Sequence, residues 1–388
     1  MASSPQFVMT AAMILIIGSV PLAQIVWEMT QGERPQCLEL FDRPPSETNL
    51  RDFESDLEDR SWLTHLVRPI VQQMRFAALG DPAAKLVTGR GGWLFYEPGI
   101  DYLVGRPPVN PPPDAGPEAA LFAIRSFHDQ LAERDIRLLI VVVPGKAAVY
   151  PDRLTHRFDS GHVVDSPTRL FVEQLRDAGI EAVDLMFTFR RARAARLDSR
   201  QPVFLSRDTH WSGTGVRLAA QAVADRVQQL GWLDPGTGSY PTRSYTTRRL
   251  RVRGKADLVK MMGWPEAKLT LPAEDVDVWQ VTTRDDHTPY RDDPQSPVLL
   301  LGDSFTRIYQ TDEPGSAGLA AQLAHQLGMP LTTIVNDGGA STLVRQQLVR
   351  QSELLEGKKL VIWEFVERDL WFGLEGWQEV RLPENPSR

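Results

Sequence analysis

The sequence predicts an α/β fold, a mostly parallel β-sheet flanked by helices, and three observations support this prediction. Apolar runs of strand length alternate along the chain with segments of helical spacing. The runs at 138–143 and 298–301 are continuous, which is typical of strands that are buried on both faces. Of the 388 residues, 42% are hydrophobic and 24% are charged, a composition that suits a protein with a large buried core.

The predicted elements begin at 89–96, where glycines form a turn that leads into an aromatic strand. A proline-rich loop follows at 107–117, and strands and helices alternate beyond it. The predicted helices are 119–134, 167–178, 213–230, 316–327 and 341–354. The predicted strands are 138–143, 180–185, 298–301, 331–335 and 359–365. Residues 233–295 lack this periodicity and are rich in Thr, Arg, Asp and Pro, so we expect an insertion with short strands there.

The N-terminal segment predicts a membrane anchor. Phe7 to Trp27 is a run of twenty-one residues without a charge, and a membrane-spanning helix needs about 20 apolar residues. A cleaved signal peptide and a buried core helix are the alternatives, although no Lys or Arg precedes the run. We therefore expect a transmembrane helix within 1–28, a stalk with a helical segment at 29–85, and the α/β domain at 86–388. The flanking charges do not decide the side of the membrane.

Charge and cysteine content exclude several classes of protein. The chain has 43 Lys and Arg against 50 Asp and Glu, and its net charge of −7 disfavours nucleic acid as a partner. Cys37 is the single cysteine, which excludes an internal disulfide framework and a cysteine-based zinc site. We expect no cofactor.

A nucleophile is predicted directly after the strand 298–301, in the segment Gly302-Asp303-Ser304-Phe305. In open parallel sheets, ligands bind beyond the carboxyl ends of the strands. The glycine allows a sharp turn, and the serine then projects from the strand end with its own N–H facing the same cavity. Gly-Asp-Ser is also a common turn sequence, so this motif by itself leaves both interpretations open.

A general base and its orienting acid are predicted in the segment 208–211, Asp-Thr-His-Trp. Residues two apart on an extended segment lie on one face, so the Asp208 carboxylate can fix the tautomer of His210 while the other ring nitrogen faces a serine. Of the seven histidines, His210 and His287 have an aspartate two residues before them, and His287 lies in the irregular segment 233–295, where we interpret it as a loop residue. Helix capping by Asp208 is the alternative. A metal site would need a third ligand, and no His, Asp or Glu at suitable spacing supplies one. If His210 is the base, the rate should rise with pH through a single ionisation near neutrality.

Together the two motifs resemble those of the SGNH/GDSL serine hydrolases, which usually carry the serine first. Here the Asp-x-His segment precedes the serine, and this permuted order is similar to the alginate O-acetyltransferases of the AlgJ/AlgX type. The resemblance covers roughly residues 86 to 372. It extends in order through the motifs at 92–95, 143–146, 149–151, 208–211, 254–258, 302–305, 335–339 and 363–368.

The resemblance implies an SGNH-hydrolase-like domain that O-acetylates an exported polysaccharide, alginate or a related exopolysaccharide. By motif, it makes Ser304 the nucleophile, His210 the general base and Asp208 the orienting acid. It also implies a single-pass inner-membrane protein with its catalytic domain in the periplasm, and a membrane-bound O-acyltransferase as the acyl donor partner. A carbohydrate acetyl-esterase with the same triad and a non-catalytic scaffold of a polysaccharide secretion complex are the alternatives.

Three further residues are candidates for contact with the substrate. Asn336 matches in place the oxyanion asparagine of the SGNH enzymes, and a turn-forming asparagine is its alternative. Lys146 follows a strand end, where it could contact an acceptor carboxylate or remain solvated. Trp211 could line an acceptor groove, although an aromatic residue in this position is more often part of the core.

A basic cluster lies between 243 and 255 in this otherwise acidic protein. Arg248, Arg249 and Arg251 in this cluster are candidates for binding an anionic polymer, and a solvated strand face is the alternative. Glu364 and Arg368, at the end of the last predicted strand, are interpreted as a structural ion pair.

Overall fold

The computed structural model describes residues 85–383 except 160–161, 163, 196–200, 234–241 and 263–270, together with 19, 22–30, 32, 34–35 and 37–38. The chain divides into two compact units, Met1–Ala83 with Met262–Leu269 and Ala84–Met261 with Thr270–Arg388. In the first unit, the described residues 22–30 are helical. Most of the predicted anchor lies outside the described residues, and none of the helices that are described is long and apolar enough to cross a membrane.

The second unit is built around a five-stranded parallel sheet with the strand order β4-β3-β9-β7-β8. Because all neighbouring strands in it are parallel, the carboxyl ends of β3, β7 and β9 lie at one edge. In chain order, the strands of the described residues are β1 Leu86–Thr88, β2 Leu94–Tyr96, β3 Arg137–Val143, β4 Glu181–Asp184, β5 Tyr245–Arg253, β6 Asp275–Thr283, β7 Val298–Gly302, β8 Thr332–Val335 and β9 Leu360–Val366.

Helices connect the strands and cover both faces of the sheet. In chain order, the α-helices that the structure describes in this unit are α1 Glu97–Leu103, α2 Pro117–Ala132, α3 Lys146–Val149, α4 Pro151–Leu154, α5 Thr168–Asp177, α6 Leu185–Ala194, α7 Gly213–Leu230, α8 Asp257–Met261, α9 Ser304–Arg307, α10 Leu319–Leu327, α11 Leu343–Arg350 and α12 Asp369–Phe372.

The strand β3 shows how the core is divided between the two faces. Successive residues of a strand point to opposite faces. Leu139 and Val141 belong to the apolar cluster that contains the buried residues of α7 and α10, whereas Leu138 and Ile140 belong to the cluster that contains those of α2 and α11. All four residues are buried, so the continuous apolar run of β3 is explained by burial on both faces.

The insertion forms an antiparallel pair of long strands, β5 and β6, with Tyr245 opposite Thr283 at one end and Arg253 opposite Asp275 at the other. Val276, Val278 and Val281 of β6 are buried in the same cluster as α7 and α10. The insertion therefore packs against the core of the sheet.

Most predicted elements are confirmed, and helix 213–230 is confirmed in both of its ends. The prediction missed α6. This helix begins at Leu185, directly after β4, and Asp184 caps it by accepting a hydrogen bond from the Met186 N–H. The expected helix 316–327 begins only at Leu319, since Gly315 and Ser316 have positive φ values of 78° and 54°. The expected helix 341–354 ends at Arg350, and a 3₁₀ turn follows it.

Candidate active site

The nucleophile candidate follows β7, an interior strand of the sheet. This strand ends at Gly302, and Asp303 caps α9 by accepting a hydrogen bond from the Phe305 N–H at 2.7 Å. Ser304 is the first residue of α9, at the carboxyl edge of the sheet. A Cβ atom at position 302 would lie 2.8 Å from Glu364 Oε2, so the close packing beneath this turn requires glycine.

The base candidate lies on a loop that is closed by a short antiparallel bridge. Phe204 pairs with Trp211 across the loop, and the Leu205 N–H donates to the His210 carbonyl oxygen at 3.2 Å. Within the loop, the His210 N–H donates to Asp208 Oδ1 at 3.1 Å. The side chain of Asp208 is only 1% exposed, because the loop turns it toward the interior.

The structure brings Asp208, His210 and Ser304 into one chain of hydrogen bonds. His210 Nε2 lies 2.8 Å from Ser304 Oγ, and His210 Nδ1 lies 2.7 Å from Asp208 Oδ1. A carboxylate bound to Nδ1 requires a proton on that nitrogen, which leaves Nε2 of a neutral imidazole free to accept the hydroxyl proton of Ser304. This arrangement can deprotonate a serine for attack on an acyl group.

A second carboxylate, Asp257, contacts the same imidazole. Asp257 Oδ2 lies 3.4 Å from His210 Nδ1, and Asp257 Oδ1 accepts a hydrogen bond from the Thr209 N–H at 2.7 Å. The sequence analysis assigned no role to Asp257, although this residue lies within the motif at 254–258. Its distance along the chain from His210 and the irregular pattern of the insertion concealed the contact.

Asp208, His210 and Asp257 form the one group among the described residues that could hold a metal ion. Asp208, His210 and Asp257 each offer one ligand atom, and these atoms lie within 4.8 Å of one another. The expectation that no third group accompanies Asp208 and His210 was therefore wrong. Both carboxylates already contact Nδ1 of the ring, so we treat the group as a hydrogen-bonded cluster.

The two carboxylates change the acidity of the imidazole. Burial by itself lowers the pKa of His210, but the hydrogen bonds and negative charges of Asp208 and Asp257 outweigh burial and raise this pKa to about 10. Burial raises the pKa of Asp257, whereas the hydrogen bond and charge of His210, helped by Thr209, hold it well below its usual range. The ionisation near neutrality that the sequence predicts is thus displaced upward.

Comparison with known proteins identifies the family. Residues 86–367 match the SGNH hydrolase-like domain of the acetyltransferase AlgX. The chain belongs to this AlgX family. It is an acyltransferase with an SGNH-like α/β fold, as the resemblance implied. The matched segment contains Asp208, His210, Asp257 and Ser304, so the whole hydrogen-bonded cluster belongs to the AlgX-type domain.

Individual relatives agree with the family assignment. Two proteins named "Probable alginate O-acetylase AlgJ" are similar to the chain. The one from Pseudomonas putida is 29% identical over 310 residues, 76% of this chain and 73% of the relative. The one from Azotobacter vinelandii is 24% identical over 325 residues, 82% of this chain and 78% of the relative. The solved O-acetyltransferase domain of Pseudomonas putida AlgJ matches with 26% identity and a TM-score of 0.54, covering 74% of this chain and 91% of that domain.

Lys146 neither remains solvated nor points to an acceptor carboxylate, the two roles that the sequence left open. Its Nζ donates to the carbonyl oxygens of Leu205, Ser206 and Asp208 at 2.8, 3.0 and 2.9 Å. Burial lowers the pKa of Lys146 to about 7, against the opposing charges of nearby acids. Its three donors are all directed to the backbone of the loop that carries Asp208 and His210. Lys146 therefore supports that loop rather than contacting a polysaccharide.

Trp211 does not line a groove, because its side chain is fully buried. Its indole N–H donates to the Phe305 carbonyl oxygen at 3.1 Å, and the two rings pack edge to face. Asn336 follows β8, and its N–H donates to the Gly302 carbonyl oxygen at 3.0 Å. Nδ2 of the Asn336 side chain donates to Gln347 Oε1 at 3.5 Å.

The arginines of the basic cluster are paired across the β5–β6 hairpin. Arg249 and Arg251 both contact the carboxylate of Asp277, and Arg248 donates to Gln280 Oε1 at 3.0 Å. Each arginine uses one donor on its cross-strand partner, and the Asp277 carboxylate offsets part of the positive charge of Arg249 and Arg251. The hairpin therefore agrees with the alternative, a solvated and internally paired strand face.

Glu364 and Arg368 do not form the expected ion pair in the described structure. Glu364 Oε2 accepts hydrogen bonds from the Asp303 N–H at 3.3 Å and from Thr306 Oγ1 at 2.8 Å, beneath the nucleophile turn. Burial raises the pKa of Glu364 well above its usual range, which favours a neutral acid at this position. The guanidinium of Arg368 lies instead over the ring of Phe305, 5.8 Å from its centre, beside a narrow pocket of about 20 Å³.

Proposed function

We propose that the chain transfers an acetyl group to a hydroxyl of an exported polysaccharide, alginate or a related exopolysaccharide, through an acetylated Ser304. The observation that carries this proposal is the 2.8 Å contact between His210 Nε2 and Ser304 Oγ. The other ring nitrogen, Nδ1, contacts Asp208. The names of the AlgJ relatives supply the class of acceptor.

The reaction proceeds in two steps that use the same imidazole. In the first step, His210 Nε2 takes the proton of the Ser304 hydroxyl while Oγ attacks the acyl carbonyl carbon of the donor. The bond to the donor breaks, and the donor leaves with the proton from His210. In the second step, His210 takes the proton of a sugar hydroxyl, whose oxygen attacks the acetyl-serine. The proton then returns to Ser304 Oγ as the sugar ester forms.

The oxyanion of each step requires a hydrogen-bond donor near Ser304. The first N–H groups of a helix have no acceptor within that helix. Ser304 is the first residue of α9, so its own N–H is available for the oxyanion of an acyl group bound to Oγ. We therefore assign this role to the backbone N–H of Ser304. Asn336 uses one of its two amide N–H groups on Gln347, which leaves the other for the same role.

We further propose that the enzyme acts in the periplasm, held at the inner membrane by an N-terminal helix, and receives its acetyl group from a membrane-bound O-acyltransferase. The uncharged run from Phe7 to Trp27 supports the anchor. Exported polysaccharide reaches the enzyme only on that side of the membrane, and cytosolic acetyl donors require a membrane protein to pass their acyl group across.

Incubation of the full-length protein with a chromogenic acetyl ester and an oligouronate acceptor tests the proposal. We expect each modified oligosaccharide to gain the mass of an acetyl group, and Ser304→Ala to prevent this gain. Ser126→Ala, in a serine of α2 that contacts Glu379, is the matched control. Release of acetate without modified oligosaccharide would instead indicate an esterase, and the absence of both products would indicate a scaffold.

A further inference from the structure

We propose that Asp257 is a positioning residue that shares the imidazole of His210 with Asp208 and holds the loop carrying both. The triad is then a cluster of four residues, with two carboxylates on one side of the imidazole and the serine on the other. This inference rests on the proposed function only in its kinetic part, because the contact with His210 exists whatever the acceptor of the acyl group.

The first argument is the geometry of the Asp257 carboxylate. Its Oδ2 lies 3.4 Å from His210 Nδ1, close to the Asp208 oxygen that lies 2.7 Å from the same nitrogen. Its remaining contacts hold it in that position. Oδ1 accepts from the N–H groups of Thr209 and Leu258 at 2.7 Å, and Oδ2 accepts from the Thr209 hydroxyl.

The second argument is that Asp257 also holds the first carboxylate. The N–H of Asp257 donates to Asp208 Oδ2 at 3.1 Å, while the His210 N–H donates to Asp208 Oδ1. Both oxygens of Asp208 are therefore held, one by its own loop and the other by α8. A carboxylate restrained at both oxygens keeps the imidazole in one orientation.

The third argument is the backbone that presents Asp257. Ala256, the residue before it, has a φ of 49°, a conformation that residues with a side chain rarely adopt. Ala256 is buried and begins the turn into α8. Such a backbone persists only where its surroundings hold it, and it is found preferentially at functional sites.

Several titratable groups face the cluster and define its electrostatics. Asp208 approaches His210 from its own loop, Asp257 from α8 and Asp303 from the turn before α9. Lys146 on α3 and Tyr309 after α9 face the carboxylates of Asp208 and Asp257. Glu274 lies near both Lys146 and Tyr309. Removal of one negative charge that contacts the ring should therefore lower the pH at which His210 loses its proton, by about one to three units.

The experiment compares the parent with Asp257→Asn, which keeps the shape of the side chain but removes its charge. His210 is titrated by nuclear magnetic resonance of ¹⁵N-histidine in the full-length protein, and kcat and KM for a chromogenic acetyl ester are measured against pH. We expect the midpoints of both titrations to move down together, kcat on the plateau above the midpoint to fall about tenfold or more, and KM to stay unchanged. Asp275→Asn is the matched control, an exposed acid of β6 that pairs with Arg253.

The two readouts separate the inference from the proposed function. If the parent transfers no acyl group, the titration of His210 still tests the contact with Asp257. An unchanged midpoint in folded Asp257→Asn would overturn the inference, as would a fall in kcat that is equal at every pH. Should Asp257→Asn fail to fold, Asp257→Ser keeps a hydroxyl that can cap the Thr209 and Leu258 N–H groups, and the same downward shift is expected.

Discussion

The Nζ of Lys146 lies 2.9 Å from the carbonyl oxygen of Asp208, directly behind the carboxylate that contacts His210. Two more carbonyl oxygens of the same loop accept from this nitrogen. The Leu205 and Asp208 carbonyl groups receive their described hydrogen bonds from this one buried amine, whereas the Ser206 carbonyl also accepts from the Leu94 N–H. An unpaired buried acceptor is costly. The loop that carries the acid and the base therefore depends on a side chain about sixty residues away, after β3.

We expect Lys146→Met to destabilise the protein and to reduce catalysis. Methionine fills a similar volume but leaves the buried carbonyl groups of Leu205 and Asp208 without donors, whereas the Ser206 carbonyl keeps its hydrogen bond from the Leu94 N–H. The two unpaired acceptors should cost about 2 kcal/mol or more in free energy of unfolding. Because the loop then loses its support, kcat for a chromogenic acetyl ester should fall more than KM rises. Urea unfolding and initial rates measure the two effects, with Lys85→Met as the control. Parent-like kcat in Lys146→Met would show that the loop holds its shape without this lysine.

Ser304→Ala should abolish acyl transfer and leave the fold intact. The substitution removes one hydroxyl at the surface of a strand end, so the free energy of unfolding should change by less than about 1 kcal/mol. Mass spectrometry of the parent after brief exposure to the acetyl ester should detect an acetyl group on Ser304. Wild-type turnover by the alanine variant would end the assignment of the nucleophile.

Asp208→Asn should show whether the Asp208 carboxylate orients His210, since Ser212 and not Asp208 caps the helix that follows. The amide favours the wrong imidazole tautomer, which in serine triads lowers the rate by about four orders of magnitude. His210→Ala should be comparably damaging, and the double variant hardly worse, because the members of a triad act as a unit. Initial rates with an acetyl ester decide this. Normal melting together with most of the activity in Asp208→Asn would place the orienting acid elsewhere.

The rate of the parent should rise with pH above neutrality. The pKa of His210 is raised to about 10, so at pH 7 most of the imidazole carries a proton and cannot act as a base. A profile of kcat/KM from pH 6 to pH 10, with Ser304→Ala as the blank at each pH, measures this. A plateau reached already near pH 7 would mean that the two carboxylates do not hold the proton on the ring.

The same shift has a consequence for stability. The folded protein keeps the His210 proton up to about pH 10, whereas the unfolded chain releases it near pH 6.5. A raised pKa in the folded state gives stability that is fully present below pH 6.5 and is lost as the pH rises through about 10. The parent should therefore lose stability relative to His210→Gln over this range in urea unfolding. A constant difference between the two proteins would contradict the shift.

Replacement of Arg248, Arg249 and Arg251 by Gln should leave the binding of oligouronates unchanged. Each arginine has a cross-strand partner, Gln280 or Asp277, and the Asp277 carboxylate offsets the positive charge beside it, so the hairpin should attract an anionic polymer only weakly. Calorimetric titration at low salt compares the triple variant with the parent, and Arg368→Gln serves as a comparison at the edge of the pocket beside the triad. Weaker binding in the triple variant would restore the hairpin as a polymer platform.

The sequence by itself determined the fold class and singled out Asp208, His210 and Ser304 as the candidates for the site. Both depend on local patterns: the continuous apolar run of β3 shows burial on two faces, and the glycine before Asp303 and Ser304 shows a turn at a strand end. The spacing of Asp208 and His210 likewise contains the geometry of their contact, because residues two apart in an extended loop share a face. Such patterns span a few residues and are visible without a structure.

Only the tertiary structure decided which further side chains serve the site. Asp257 contacts Asp208 across 49 positions of the chain, and Lys146 reaches the Leu205 carbonyl across 59. For Trp211 the sequence left a groove position and a core position open, and the structure places it in the core, where its indole packs on Phe305 behind the nucleophile. The arginines of β5 look basic in sequence, but the antiparallel register brings Asp277 beside them. These outcomes depend on which elements pack together, because burial and charge pairing are properties of neighbours in space, whereas periodicity reports only neighbours along the chain.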